Sequence, residues 1–319
     1  MRLIFLGSPE PVIAPLKALL AAAADRGDEV VGVVSQPARP VGRSGTLSDP
    51  PVAAFAKAHG IPTLQPTKSS DPEFLEAFSA LRPDIAITAA FGQILPPDFL
   101  QIPKRATINI HPSLLPKYRG ATPVPASLLA GDEASGVSVL FTVQKLDAGA
   151  LIVQERLPIH PDETTGQLTD RYFGASGPLL LTAIDKLRDP HFVGDLQDES
   201  AVTHCRKIEK NAGEVDWEQP STVIYRRFRA YEPWPGSYTH LGDKRLNLLE
   251  VKSDSEQASQ QPPGTVSYDK KQRLLRVTMA EGDLLIAKLK PAGGKALTAE
   301  SFWNGLKERT QVKFIRLPV

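Results

Sequence analysis

The 319 residues contain a single cysteine, Cys205, so neither a disulfide framework nor a cysteine zinc site can be built. A reducing, cytoplasmic setting is the expectation. Long apolar runs are missing too. Nothing reaches the about 18 uninterrupted apolar residues of a membrane helix, and Pro9, Pro11, Pro15 and Lys17 interrupt the N-terminal apolar segments that a signal peptide keeps continuous. Export, membrane spanning and a membrane partner are therefore not expected. The first apolar run leads into Gly7-Ser8-Pro9-Glu10-Pro11, which lacks the second and third glycines of a dinucleotide fingerprint; a nicotinamide cofactor is disfavoured. The six histidines, His59, His111, His160, His191, His204 and His240, are nowhere paired at ligand spacing, so no metal is expected. Hydrogen bonding and proton transfer remain as the chemical tools.

What is present suggests two domains, since domains commonly hold about 100 to 200 residues. The net charge is only +1, but residues 1–200 carry 17 basic and 22 acidic side chains, whereas 201–319 carry 20 basic and 14 acidic. A basic module following an acidic one suggests that the tail meets a polyanion such as nucleic acid.

Short β-branched runs alternate with helical patterns through the first half, the signature of an open α/β domain with a parallel sheet. Leu3–Leu6, Val30–Val34, Ile85–Thr88, Thr107–Ile110, Val137–Val143 and Leu151–Leu157 read as strands; Pro11–Ala24, Val52–His59, Pro72–Leu81 and Thr165–Leu187 read as helices. The pattern changes near residue 190. A helix around Ser221–Ala230 precedes short strand-like runs at Ser237–Leu241, Leu246–Val251, Leu274–Met279 and Leu284–Leu289, which suggests a small β-barrel, with the oligonucleotide-binding (OB) type one compatible size. The polar stretch Ser253–Gly264 reads as a mobile loop or turn in it. The expected division is 1–190 for the catalytic domain, 191–205 for a linker and 206–319 for the barrel. No coiled-coil pattern appears, and a monomer is expected.

Ligands of open α/β sheets collect at the carboxyl ends of the strands, which directs attention to Asn109-Ile110-His111 and the following Pro112 to Gly120. Period-two alternation points Asn109 and His111 to one face. An amide and an imidazole suit acyl transfer to an amine: the Asn109 NH2 can donate to a carbonyl oxygen gaining charge, worth about 3 to 4 kcal/mol in comparable sites, and an imidazole exchanges protons near neutral pH. The plainer reading is that both residues terminate a buried strand. Asp147, in Leu146-Asp147-Ala148-Gly149 between two expected strands, can accept from His111 while Gly149 permits a sharp turn. As a simple turn residue it needs no such role.

Asn109-Ile110-His111, Ser113-Leu114-Leu115-Pro116, Arg119-Gly120-Ala121 and Leu146-Asp147-Ala148-Gly149 together resemble the folate-dependent formyltransferase family. The resemblance implies a Rossmann-like catalytic domain with Asn109, His111 and Asp147 as catalytic trio and 10-formyltetrahydrofolate as formyl donor. It implies a folate pocket at Ser113, Leu114, Leu115 and Pro116, and at Phe91, Gly92, Leu95 and Pro96 of Ala90-Phe91-Gly92-Gln93-Ile94-Leu95-Pro96.

Gly213-Glu214-Val215-Asp216-Trp217 and Arg229 to Ser237 are similar to the branch of that family that formylates methionyl initiator tRNA, a likeness running from Met1 to about Gly305. That branch implies an OB-type, tRNA-binding C-terminal domain. Trp217 and Trp234 also have a simpler reading as core or domain-packing residues. Gln36–Pro50, rich in turn formers, reads as a mobile loop, and Arg43 looks like the arginine that reaches the tRNA acceptor end; Ser44, Gly45 and Thr46 stand where some relatives carry lysines. Rival readings are a formyltransferase acting on a nucleotide-linked amino sugar, a purine-pathway formyltransferase, for which the C-terminal domain is unneeded, and a nucleic-acid-binding protein with an inactive α/β domain.

Overall fold

The computed structural model describes residues 1–41, 45–255 and 260–317. The chain forms two compact units, residues 1–123, 133–159 and 168–206 in the first and 124–132, 160–167 and 207–319 in the second. Up to residue 120 the elements are β1 (Arg2–Gly7), α1 (Ile13–Ala23), β2 (Glu29–Val34), β3 (Arg39–Val41), β4 (Thr46–Ser48), α2 (Pro51–Ala58), β5 (Thr63–Leu64), α3 (Pro72–Ala80), β6 (Ile85–Ala89), α4 (Pro97–Leu100), β7 (Ala106–His111) and β8 (Arg119–Gly120). Then come α5 (Pro123–Ala130), β9 (Ala134–Phe141), β10 (Leu151–Pro158), α6 (Thr165–Lys186) and β11 (His204–Cys205). Among the described residues no helix is long and apolar enough to cross a membrane.

Seven strands make one sheet in the order β10-β9-β7-β6-β1-β2-β5. From β5 to β7 all neighbours are parallel, whereas β9 runs antiparallel to β7 and β10 antiparallel to β9. The parallel strands are almost wholly buried, as covering by crossover helices requires. On one face Ile4, Leu6 and Ala86 pack with Phe74, Phe78 and Phe99, the last two rings 4.4 Å apart. Pro51 and Pro72 open α2 and α3, where the missing N–H costs no helical bond.

Three expectations need correction. The strand expected at Val137–Val143 occupies Ala134–Phe141: the Thr142 N–H to Thr107 carbonyl bond closes the ladder with β7, and beyond it the apolar pattern continues at Val143, which is exposed. Gln36–Pro50 is not wholly loop, because β3 and β4 pair across it as a short antiparallel hairpin. Arg43 lies outside the described residues. Ser253–Gly264 is also partly strand, since pairing carries the preceding strand through Asp254, opposite Asp283; residues 256–259 are not among those described.

In the second unit α7 (Ser221–Tyr231) precedes β12 (Ser237–Leu241), β13 (Lys244–Asp254), β14 (Val266–Asp269), β15 (Leu274–Thr278), β16 (Asp283–Pro291), β17 (Leu297–Thr298) and α8 (Ala299–Asn304). The strands form an antiparallel sheet, β12-β13-β16-β15-β14 with β17 on β16. Its core includes Leu248, Leu275, Ile286 and Phe314, with Ile224 and Phe228 of α7 and Trp217. Trp217 is a packing residue, its indole N–H donating to Thr239 Oγ1 at 3.0 Å. Trp234 departs from that reading: it is 55% exposed, in the proline-flanked turn after α7.

Candidate active site

β7 lies at the seam where the sheet changes from parallel to antiparallel pairing, between β6 and β9. Asn109 is opposite Thr88 in this register, so their side chains share a face and Thr88 Oγ1 donates to Asn109 Oδ1 at 2.8 Å. With its oxygen engaged, the amide presents Nδ2 toward Asp147 Oδ1, 3.4 Å away. His111, two residues on, points the same way. Its Nε2 lies 3.0 Å from the Tyr118 carbonyl. A carbonyl only accepts, so Nε2 carries the hydrogen and, in the neutral ring, Nδ1 bears the lone pair. Nδ1 faces Asp147 Oδ2 at 3.7 Å, with both side chains buried.

Asp147 reaches this position through a backbone conformation unusual for its type, φ 51°. Its Oδ2 also accepts from the Gly120 N–H at 2.9 Å, which ties the carboxylate to β8. Two glycines make the approach possible. A side chain at Gly149 would put its first carbon 1.8 Å from the Phe141 carbonyl oxygen, and one at Gly120, at φ 130°, would lie 2.1 Å from the Cys205 carbonyl oxygen. Burial and the nearby Asp147 charge push the Cys205 thiol up, keeping it protonated beside the site.

The Ser113–Pro116 segment is fastened from below. Ser113 Oγ donates to the Lys117 carbonyl at 2.7 Å, Ser138 Oγ donates to the Ser113 carbonyl at 2.6 Å, and Gln154 Nε2 donates to the Leu115 carbonyl at 2.8 Å. Ser113 and Leu115 are buried; Leu114 and Pro116 are the partly exposed members. Of the other expected folate residues, Phe91 is buried in the core beside β1 and Leu95 packs partly on it, while Gly92 is exposed and Pro96 partly so. Phe91 and Gly92, with Ser8, Gln36 and Asp49, line a cavity of about 600 Å³ where β1, β2 and β6 end; the trio is outside its wall. Bonds from Lys57 and Gln65 hold the Asp49 carboxyl below the usual range.

Sequence reasoning missed Thr88, the Tyr118 carbonyl and the Gly120 N–H. Thr88 leaves a faint signal, a lone hydroxyl near the end of an otherwise apolar strand. The others lie on two-residue strands or loops, where periodicity carries no information.

The chain has similar counterparts among known proteins. Residues 1–184 match the formyl transferase family model and residues 207–307 its C-terminal domain. The methionyl-tRNA formyltransferase of Dehalococcoides mccartyi is 40% identical over 308 residues, covering 96% of each chain, and that of Herpetosiphon aurantiacus is 36% identical over 312 residues, covering 98% of this chain and all of the relative. In fold, this chain resembles HypX of Aquifex aeolicus, solved in complex with tetrahydrofolic acid (TM-score 0.65, 18% identity, 99% of this chain and 51% of HypX). It also resembles a sugar N-formyltransferase from Shewanella (TM-score 0.59, 17% identity, 75% and 92%). Matched in both its parts and aligned end to end with such relatives, the chain belongs to the formyl transferase family, in the branch of the methionyl-tRNA formyltransferases.

Proposed function

We propose that this chain transfers the formyl group of 10-formyltetrahydrofolate to the free α-amino group of methionyl initiator tRNA, giving the N-formylmethionyl-tRNA that starts translation. The observation that carries the reading is the convergence of Asn109 and His111 on Asp147 at the carboxyl end of β7, in a chain whose end-to-end relatives bear that name.

The donor supplies a formyl carbon bound to a nitrogen that can leave. Leu114 and Pro116, partly exposed on a fastened loop, would offer apolar surface to a pterin ring, and Phe91, Gly92, Leu95, Pro96, Ser113 and Leu115 complete the proposed folate region. As the neutral amine adds to the formyl carbon, charge develops on the formyl oxygen and Asn109 Nδ2 donates to it. The attacking nitrogen gives its proton to His111 Nδ1. The imidazolium so formed is held between the Tyr118 carbonyl at Nε2 and the Asp147 carboxylate at Nδ1, a charge-assisted pair formed only then. The same proton is then available to the departing folate nitrogen. Arg43 and the basic second unit, of the proposed OB type, would meet the tRNA phosphates. A cytoplasmic monomer belongs to the same proposal.

The direct test incubates the purified protein with 10-formyltetrahydrofolate and either methionyl initiator tRNA or a nucleotide-linked amino sugar. Formylation of the tRNA alone is expected; product only from the sugar would keep the chemistry and overturn the acceptor. No product from either would leave the nucleic-acid-binding reading.

A further inference from the structure

Asp147 carries two carboxylate contacts on which the proposed chemistry depends, yet its own turn is poorly anchored by packing. Val143 and Leu146 are exposed, and a non-glycine residue at φ 51° persists only where surrounding bonds over-determine it, since such a conformation is strained for an L side chain. The anchoring comes from 50 residues further along the chain. Gln197 Nε2 donates to the Asp147 carbonyl and to the Gly149 carbonyl, each at 2.8 Å, so its two hydrogens straddle the turn. Gln197 Oε1 accepts from Arg119 Nε at 3.0 Å. These partners fix the amide's orientation: reversed, it would set its oxygen against two carbonyls and its NH2 against a guanidinium.

Arg119 heads the large, fully buried side chains among the described residues. Its Nη2 pairs with Glu199 at 2.8 Å, while Nη1 has no partner among the described residues. A buried guanidinium left incompletely paired is costly, and calls for a role other than stability. Here it orients the one amide that holds the catalytic turn. The rest of the 195–205 segment is fastened to the same place. Asp195 bridges Leu151, Thr203 Oγ1 accepts from the Tyr118 N–H at 2.8 Å, and β11 pairs with β8 through Arg119 and Gly120.

We infer that Gln197, oriented by Arg119, is a positioning residue for the formyl transfer: its side-chain amide holds the Asp147–Gly149 turn so that the Asp147 carboxylate meets His111, Asn109 and the Gly120 N–H. The catalytic part of the inference rests on the function proposed above; the bracing of the turn does not. No other side chain of this size both donates twice and accepts without charge, so Glu in its place loses the clamp while keeping volume and the Arg119 contact.

The test uses the full chain with Gln197→Glu and Gln197→Leu, measuring steady-state kinetics with both substrates and hydrogen exchange at the Gly120 amide, whose acceptor is Asp147. Both variants should lose about 30- to 100-fold in kcat, the scale of a misplaced catalytic group, with each KM within about threefold. Exchange at Gly120 should quicken about tenfold or more while amides of β1 and β6 keep their protection. Wild-type kcat and wild-type Gly120 exchange in Gln197→Glu would overturn the inference. So would a defect confined to Gln197→Glu, which would mean introduced charge, or equal acceleration across the sheet, which would mean general destabilisation. If the unaltered chain formylates no tRNA, the proposed acceptor fails and the exchange measurement alone decides whether Gln197 braces the turn.

Discussion

Asn109 has one amide face committed and one free. Thr88 holds Oδ1, and of the two Nδ2 hydrogens only one has a long contact, to Asp147 at 3.4 Å, so the amide is oriented before any substrate arrives. Such preorganised donors stabilise charge that appears only as the reaction proceeds. Asn109→Ala is therefore expected to lower kcat by about 10²- to 10³-fold with donor affinity little changed, measured by single-turnover kinetics and donor titration; equal losses in both would remove the oxyanion role. Glu199 makes a pH prediction at the same scale. Hydrogen bonds from Arg119, then Lys145, lower its carboxyl from 4.5 to about 2. A carboxylate with a depressed folded-state pKa contributes stability that is complete above its unfolded value and is lost as pH falls through the folded one. The stability difference between the native chain and Glu199→Gln should thus be constant above about pH 4.5 and vanish toward pH 2. Glu199 is exposed, so the effect is small and screened by salt; thermal melts of both proteins across that range check it.

The elements bring these groups together through two close approaches of backbone. β9 beside β7 returns the chain past Phe141, and the Asp147–Gly149 turn then lies so near that strand that Gly149 has no room for a β-carbon. Gly149→Ala must push the turn off β9. A loss of about 1 to 3 kcal/mol in urea unfolding is expected, the usual range for overpacking, with a larger fall in kcat than in tRNA affinity because the displaced residue is Asp147. An alanine variant with native turnover would show that the turn tolerates the shift. The strands themselves were readable from sequence, because buried parallel strands are written as continuous apolar runs. Two-residue β8 and β11 were not, since a pairing that short has no period, and neither was the β3–β4 hairpin inside a stretch of turn formers.

Across the molecule, the second unit is assembled from three separated stretches of chain. Tyr225 Oη donates to Asp162 at 2.7 Å, Thr165 Oγ1 donates to the Ala230 carbonyl at 2.7 Å, and the Arg226 guanidinium lies against Gly131. A chain ended at residue 206 would leave 124–132 and 160–167 without the unit they belong to. Such a fragment should bind an apolar dye and melt about 3 °C or more below the full chain, the shift of roughly 1 kcal/mol or more for a chain of that size; a fragment that melts with the full chain and binds no dye would show those segments to be dispensable. The charge division, the α/β pattern of the first half and the short strands of the second are properties of local composition and spacing, and the sequence by itself determined them; it drew attention to Asn109, His111 and Asp147 only where their motifs resemble the family, since spacing alone also fits a strand end and a turn. The sheet order decided that Asp147 meets His111, because only antiparallel β9 beside β7 returns the chain across the intervening residues. Tertiary structure also decided that His111 offers Nδ1, since the Tyr118 carbonyl occupies Nε2, and that Gln197, in a stretch that reads as a linker, bonds the Asp147 and Gly149 carbonyls. Hydrogen bonds between residues far apart in the chain depend on three-dimensional proximity, which no local period encodes.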